Sequence, residues 1–284
     1  MYISQHNFKL NYYMKNLFLT LFVFTFGICQ FSQAQFLKNE EAHKLKKSKV
    51  IIGLTSDSTL NQALLEAVGI AWTLTPIHDT LPLKDALEKQ KKEGGITVIQ
   101  LGVDVTSRTT TQGRMEIKTK SAGGYIGLNT KGGKQADLIQ HLSYNSPAQF
   151  VFGLASLQDA VNTIIDENLS GMMKVQGAYG ARKSKLKGKT LYICKDFVSD
   201  GITLNDIKSA YQGNVELLDV DDFEKVILEK ENNGVYLNFV SVPVGDTYGF
   251  VAYIMGCDDH KTYNLFRNGK SNSLTKSTLK DLGS

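Results

Sequence analysis

Two stretches of this chain, Lys44 to Asn129 and Lys185 to Arg267, carry the same succession of patterns half a chain apart. A duplicated pattern constrains the architecture more than any single motif, because both copies must fold into units of one kind. In the second copy, Leu191-Tyr192-Ile193-Cys194 is a short run of strand formers. Thr203 and Asp206 have capping-box spacing, Leu204, Ile207 and Tyr211 recur at helical spacing, and Gly213 stands where a left-handed C-terminal cap belongs. Val215 to Leu218 reads as a second strand. Asp221 and Asp222 then put negative charge at the positive end of a helix bearing Phe223, Val226 and Ile227, which Asn233-Gly234 ends. Val235 to Val242 is a third strand, and Tyr248 to Met255 and Lys261 to Phe266 flank a hairpin connection at Asp258-Asp259-His260.

The first copy repeats the order with other residues. Val50 to Leu54 is the strand, Leu60, Leu64, Leu65 and Val68 form a helical stripe that Gly69 stops, and Ala71 to Thr75 is the second strand. Leu83, Ala86 and Leu87 lie on a second helix closed by Gly94-Gly95, Ile96 to Val105 is the third strand, and Arg114 to Lys120 with Tyr125 to Asn129 form a hairpin around Ala122-Gly123-Gly124. Gly94 and Gly234 stand 140 positions apart (234 − 94). Each half therefore reads βαβαβββ. Right-handed crossovers make this an α/β (or α+β) chain, a tandem duplication with mixed sheets, helices packed on them and a helical connector between the halves. Two-lobed periplasmic solute-binding proteins share duplication and export at the level of architecture, and no motif carries the analogy further.

The expected layout is a signal peptide over 1–34, a lead-in over 35–48, repeats over 49–130 and 185–270, a helical connector over 131–184 and a tail over 271–284. Lys9 and Lys15 precede the apolar run Leu17 to Ile28, and Ser32-Gln33-Ala34 has the small-x-small form of a cleavage site. The run is shorter than the roughly 20 apolar residues a membrane-spanning helix needs, and Met14 in place of Met1 would set Lys15 directly before it. The chain is thus expected to be exported, periplasmic or secreted, with no transmembrane segment after processing. Lipidation at Cys29 is disfavoured because Ile28, not a small residue, precedes it. The formal net charge is +4, and removing the two leader lysines leaves 30 basic against 28 acidic residues, a near-neutral balance that argues against nucleic acid as a partner.

Between the copies, Ser146-Pro147 is an N-cap and first-turn pair ahead of Phe150, Val151, Leu154, Leu157, Val161, Ile164 and Ile165, spaced as a helix that packs in the core or bridges the halves. Cys194 and Cys257 can be two buried thiols or a disulfide worth roughly 4 kcal/mol on the chain-entropy model.

Catalytic signatures are absent from the sequence: no G-x-S-x-G, no H-E-x-x-H, no C-x-x-C and no local histidine pair, so neither metal nor cofactor is expected. Gly127 to Gln135 imitates a phosphate loop but has one residue too many before Lys134 and Gln135 in place of the metal-holding hydroxyl. The candidate ligand-binding residues follow equivalent strands: Ser56 and Asp57 after the first strand of one half, Lys195 and Asp196 after that of the other, and Asp104 with Arg108 beyond the third strand. Ser and Asp at such places also serve as helix N-caps. What repeats is core patterning without polar motifs. The expectation is an exported, non-catalytic envelope or secreted protein that binds an envelope protein or polysaccharide or associates with itself. The alternative is a periplasmic small-ligand binding protein using a cleft between the repeats, lined by Trp72, Tyr192 or Tyr236.

Overall fold

The protein is described by a computed structural model that covers residues 37–283 apart from 113–114 and 245–246; side chains of 104–123, Met172 and 243–248 are outside the description. The export segment and Cys29 lie outside the described residues, and so do the side chains of Asp104 and Arg108.

After a lead-in helix α1 (Asn39–Lys46), the chain runs through β1 (Lys49–Leu54), α2 (Ser58–Ala71), β2 (Ile77–Pro82), α3 (Leu83–Glu93), β3 (Ile96–Gln112), β4 (Met115–Asn129) and β5 (Leu138–His141). Two helices follow, α4 (Pro147–Asp166) and α5 (Met172–Arg182). Then come β6 (Thr190–Cys194), α6 (Leu204–Ala210), β7 (Asn214–Leu218), α7 (Val220–Leu228), β8 (Gly234–Val244), β9 (Thr247–Gly256) and β10 (Thr262–Arg267). Both halves form five-stranded sheets of one topology, β2-β1-β3-β4-β5 and β7-β6-β8-β9-β10, in which the first three strands are parallel and the remaining pairings antiparallel. The mixed α/β fold and its two similar units, which fit a tandem duplication, agree with the sequence reading.

Several local expectations are overturned. Residues Ala71 to Thr75 are not a strand: α2 runs through Gly69 because Ala71 continues the buried stripe of Leu64, Ala67 and Val68, and the indole Nε1 of Trp72 then donates to the Thr75 carbonyl at 2.9 Å. The second strand starts only at Ile77. Gly213 does not cap α6 in a left-handed conformation, since Tyr211 is the cap in extended conformation; a Cβ at Gly213 would stand 2.2 Å from the Lys189 carbonyl oxygen, so close approach of backbone requires glycine there. Ala122-Gly123-Gly124 makes no turn: Gly123 and Gly124 pair with Asp104 and Val103 inside one long strand, β4, and the residues that join it to β3, 113–114, lie outside the described residues. The first sheet also reaches His141 rather than stopping at 130, because β5 pairs with β4.

Helix α4 is the axis of the molecule. Every residue of it except Pro147, Asn162, Ile165 and Asp166 is buried, and its apolar side chains belong to one core shared with β1, β3 and β4 of the first sheet and β6, β8 and β9 of the second. The backbone comes close enough that a Cβ on Gly153 would meet Ile126 at 2.2 Å, which is why glycine occupies that turn. The polar residues of α4 each tie down a different neighbour: Gln149 exchanges amide bonds with Asn238 of β8 at 3.1 and 3.2 Å, Ser156 donates to Gln140 of β5 at 2.9 Å, and Gln158 accepts from the Thr73 amide at 2.6 Å. Buried polar groups without partners are costly, so these bonds fix the rotation and height of an otherwise greasy helix.

The two sheets turn opposite faces to this axis. Strand order makes successive right-handed crossovers fall on opposite sides of a sheet. In the first copy it is the first crossover helix, α2, that joins the shared core through Leu64, Ala67, Val68 and Ala71, while Ala86 of α3 packs outside with Ile51 and Val98. In the second copy the second crossover helix, α7, joins it through Phe223 and Ile227, while Ile207 of α6 lies in an outer cluster with Leu191, Ile193 and Leu237. The tail closes this outer cluster: Leu274 and Leu282 are fully buried, and Leu274 exchanges backbone bonds with Phe197 and Ser199.

Candidate functional site

The loops singled out in the sequence form two local, self-satisfied structures. Asp57 caps α2, accepting from the amides of Thr59 and Leu60 at 2.9 and 3.1 Å, and Asn61 bonds back to Thr55; Ser56 is exposed beside them. Lys195 and Asp196 open a single turn of 3-10 helix after β6, exposed, with the Lys195 Nζ 2.9 Å from Asp219. Backbone positions 104 and 108 lie on the outer part of β3, opposite Gly123 and Thr119. Neither of the two cavities below is lined by Ser56, Asp57, Lys195 or Asp196. Trp72, Tyr192 and Tyr236 do not line an aromatic cleft either: all three are buried, Tyr236 fully.

Cys194 and Cys257 are free and buried. Cys257 donates its amide to Gly234, which pairs with Thr190, so Cys194 stands four residues further along β6 and two strands away. That spacing is about 16 Å by strand geometry, against the roughly 7 Å between Cα atoms that a bridge tolerates, and the disulfide alternative is not realised. Burial pushes both thiols up, Cys257 to about 12, which makes them poor nucleophiles. Gly127 to Gln135 is a turn closed on itself: Asn129 Nδ2 donates to the carbonyls of Gly133 and Gln135 at 2.7 and 3.1 Å, and the Gly132 amide returns to Asn129 Oδ1 at 2.9 Å.

Where the copies meet, a cavity of about 530 Å³ opens between the C-terminal half of α4, the end of α5 and the turn from β9 to β10. Its floor is an ion pair. Arg182 Nη1 lies 2.9 Å from both carboxylate oxygens of Asp159, Nη2 donates to Thr163 at 2.6 Å, and the Thr262 amide donates to Asp159 at 2.9 Å. Burial pushes the Asp159 carboxyl up, and Arg182 and the Thr262 amide pull against it. Asp166, Glu167, Lys185, Asp259 and Lys261 stand exposed at the rim.

His260 also lines this cavity, at 8 % exposure and with a left-handed backbone (φ 53°). Apart from an approach to the Ile70 carbonyl, neither ring nitrogen finds a hydrogen-bond partner. Burial holds its proton affinity below the ordinary histidine value, helped by Lys230 and opposed by Asp259 and Asp258. Sequence reading placed His260 at a hairpin tip, and nothing in its spacing signalled that α4 and α5 would wall it in.

A second cavity, about 540 Å³, lies below the first sheet between α1 and the starts of β1 and β3. Among its polar groups, Ser48 bonds to Thr97 at 2.7 Å and Lys131 lies 3.7 Å from Asp137. Among the described residues no cluster of three or more His, Cys, Asp or Glu could hold a metal ion, and no helix is long and apolar enough to cross a membrane.

The other feature is an arm. Pairing of β3 with β1 ends at Gln100, and β5 reaches β4 only as far as Tyr125, yet β3 and β4 continue together from Asp104↔Gly123 to Gln112↔Met115. These nine pairs form a two-stranded ribbon about 27 Å long, with no further strand paired to either edge among the described residues. The equivalent β8–β9 ribbon runs free for only three pairs, Val242↔Gly249 to Val244↔Thr247, since the Phe250 backbone is still bonded to Asn268 and Gly269.

No family model, curated protein or solved structure matches this chain.

Proposed function

We propose that this is an exported, non-catalytic envelope or secreted protein that assembles with itself, or binds a protein partner, through its β3–β4 arm. The carrying observation is the nine-pair ribbon, to neither edge of which a further strand is paired among the described residues. An isolated two-stranded ribbon is marginally stable in water, and unpaired edges recruit further strands, so this arm gains from a third strand supplied by another chain. Its composition supports the reading: Val105, Thr106, Thr109, Thr110, Thr111, Ile117 and Thr119 favour extended backbone, and the arm has no proline.

The test compares residues 35–284 with a variant in which 103–124 are replaced by Asn-Gly, a pair that closes Gly102 and Tyr125 with a tight turn. Light scattering after size exclusion is expected to show a concentration-dependent oligomer for the first and a folded monomer for the second. A monomeric parent that also captures no protein from envelope extract would overturn the proposal.

A further inference from the structure

We propose that the arm pairs with the arm of a second copy of this chain along the outer edge of β3, antiparallel and centred on Thr106, so that Asp104 of each copy lies opposite Arg108 of the other. This pairing rests on the assembly reading above and gives it a partner, an edge and a register. The length of the free edge limits the register first. Pairing of β3 with β1 ends at Gln100 and β3 itself ends at Gln112, so positions 101–112 have no strand paired on that side among the described residues. Residues directly opposite in an antiparallel pair share a face, so the two-fold axis relating two identical strands passes through a residue that faces its own copy. An axis at 106 sets 101–111 against itself, and an axis at 107 sets 102–112 against itself. Each uses all but one residue of the free edge; any other axis leaves more of it bare.

Charge decides between the two. Positions 104, 106 and 108 alternate onto one face of the ribbon, where the β4 residues in register with them are Gly123, Ser121 and Thr119. The register of the ribbon therefore gives neither Asp104 nor Arg108 an opposite charge directly across the strand, and the two positions stand about 13 Å apart along β3. An axis at 106 places each Asp104 across from the second copy's Arg108 at the roughly 5 Å of a cross-strand pair, twice per dimer. It also sets Val103, 58 % exposed, across from Thr109, a pair of β-branched residues that suits a sheet. An axis at 107 sets Arg108 across from Thr106 and Asp104 across from Thr110, with no charge pair. The other edge of the arm disfavours self-pairing. β5 reaches β4 as far as Tyr125, which leaves 115–124 free, and the axes that use most of it fall at 119 and 120. The first puts Lys118 across from Lys120 twice and the second puts Lys120 across from itself, and like charges directly opposite destabilise a sheet. The product is a four-stranded sheet of order β4-β3-β3-β4 with the lysine-bearing strands outermost, where charge discourages further strands.

The test is sedimentation velocity of residues 35–284 over a range of concentrations, where a monomer–dimer equilibrium is expected. Asp104→Arg sets arginine across from arginine, and Arg108→Asp sets aspartate across from aspartate. Each alone is expected to weaken the dimer by about tenfold or more, and the double variant to restore it. An equimolar mixture of the two single variants is expected to form a heterodimer, because opposite charges then meet at both pairs. Thr106→Cys is expected to cross-link two copies under mild oxidation and Thr119→Cys, on β4, is not; Cys194 and Cys257 are buried and stay out of the reaction. A dimer that needs the arm but ignores both single substitutions, whose mixture fails to recover, or that cross-links through position 119 instead of 106 would overturn the pairing and leave the arm reading standing. So would a monomeric parent that captures an envelope protein through the arm. A monomeric parent that captures none overturns both.

Discussion

The two copies share a strand order and differ in which way they face. The first buries the side covered by its first crossover helix, α2, against α4; the second buries the side covered by its second, α7. Duplication in sequence therefore did not produce a two-fold arrangement around the central helix. The copies stack front to back, the inner surface of one corresponding to the outer surface of the other. Their arms differ in the same sense. The first ribbon runs free for nine pairs, whereas the second stops after three and carries Pro243, which has no N–H to offer a neighbouring strand. A common pattern can thus specify a sheet while leaving its interfaces to residues outside the pattern.

The largest expected effect comes from the element that makes the unlike faces into one core. Phe152 of α4 is fully buried and meets the Tyr253 ring edge-on at 5.3 Å, so Phe152→Ala should cost about 3–5 kcal/mol. Trp72, the single tryptophan, reports on the first copy and the buried thiol of Cys257 on the second. Urea unfolding followed by tryptophan fluorescence and by thiol labelling should give coincident transitions, in the parent and in the variant; two separate transitions would show that the copies are independent after all.

Next in size is the ion pair that anchors α5 and β10 to α4. Arg182→Ala strands the Asp159 carboxylate and should cost about 3 kcal/mol, at the low end for a buried pair because the guanidinium retains 16 % exposure. Combining it with Asp159→Leu should recover most of the loss. If the double variant is as unstable as the single one, the pair contributes more than the relief of a stranded charge.

The smallest effect is the pH dependence of the junction. The folded-state affinity of His260 for a proton is depressed, so below its ordinary value of 6.5 the unfolded chain binds a proton that the folded chain does not. Its contribution is intact above pH 6.5 and lost as the pH falls from there toward the folded value, with a slope of at most about 1.4 kcal/mol per pH unit. Urea titrations at pH 7, 6 and 5 should show this decline, and His260→Gly should flatten it.

The fold was legible where burial has a period. The stripe from Phe150 to Ile164 announced α4, and the Thr203–Asp206 box and the strand at Leu191 to Cys194 stand where the sequence placed them. Misreadings occurred where a local signal lost to packing: Gly69 inside α2, because Ala71 had a buried place to reach, and Gly123-Gly124 inside β4, because β3 ran alongside. β5 is four residues with no alternation and was hidden in the connector. The junction cavity could not be read at all. Asp159 and Arg182 are 23 positions apart and Asp159 and Thr262 are 103 apart, and only the folded chain brings them together.

Front-to-back stacking has a consequence for growth. A closed pair uses the same surface twice and is finished; a head-to-tail pair leaves one unlike surface at each end and can in principle be extended without limit. Here each end is covered by a polar lid. Exposed Lys84, Asp85, Glu88, Lys91, Lys92 and Glu93 cover α3 on one side, and Asn205, Asp206, Lys208 and Ser209 cover α6 on the other. Polar outer surfaces of this kind disfavour the stacking of a third layer, as the end repeats of a repeat array do. Under the proposed assembly, growth is therefore expected sideways from a strand edge rather than lengthwise from a face.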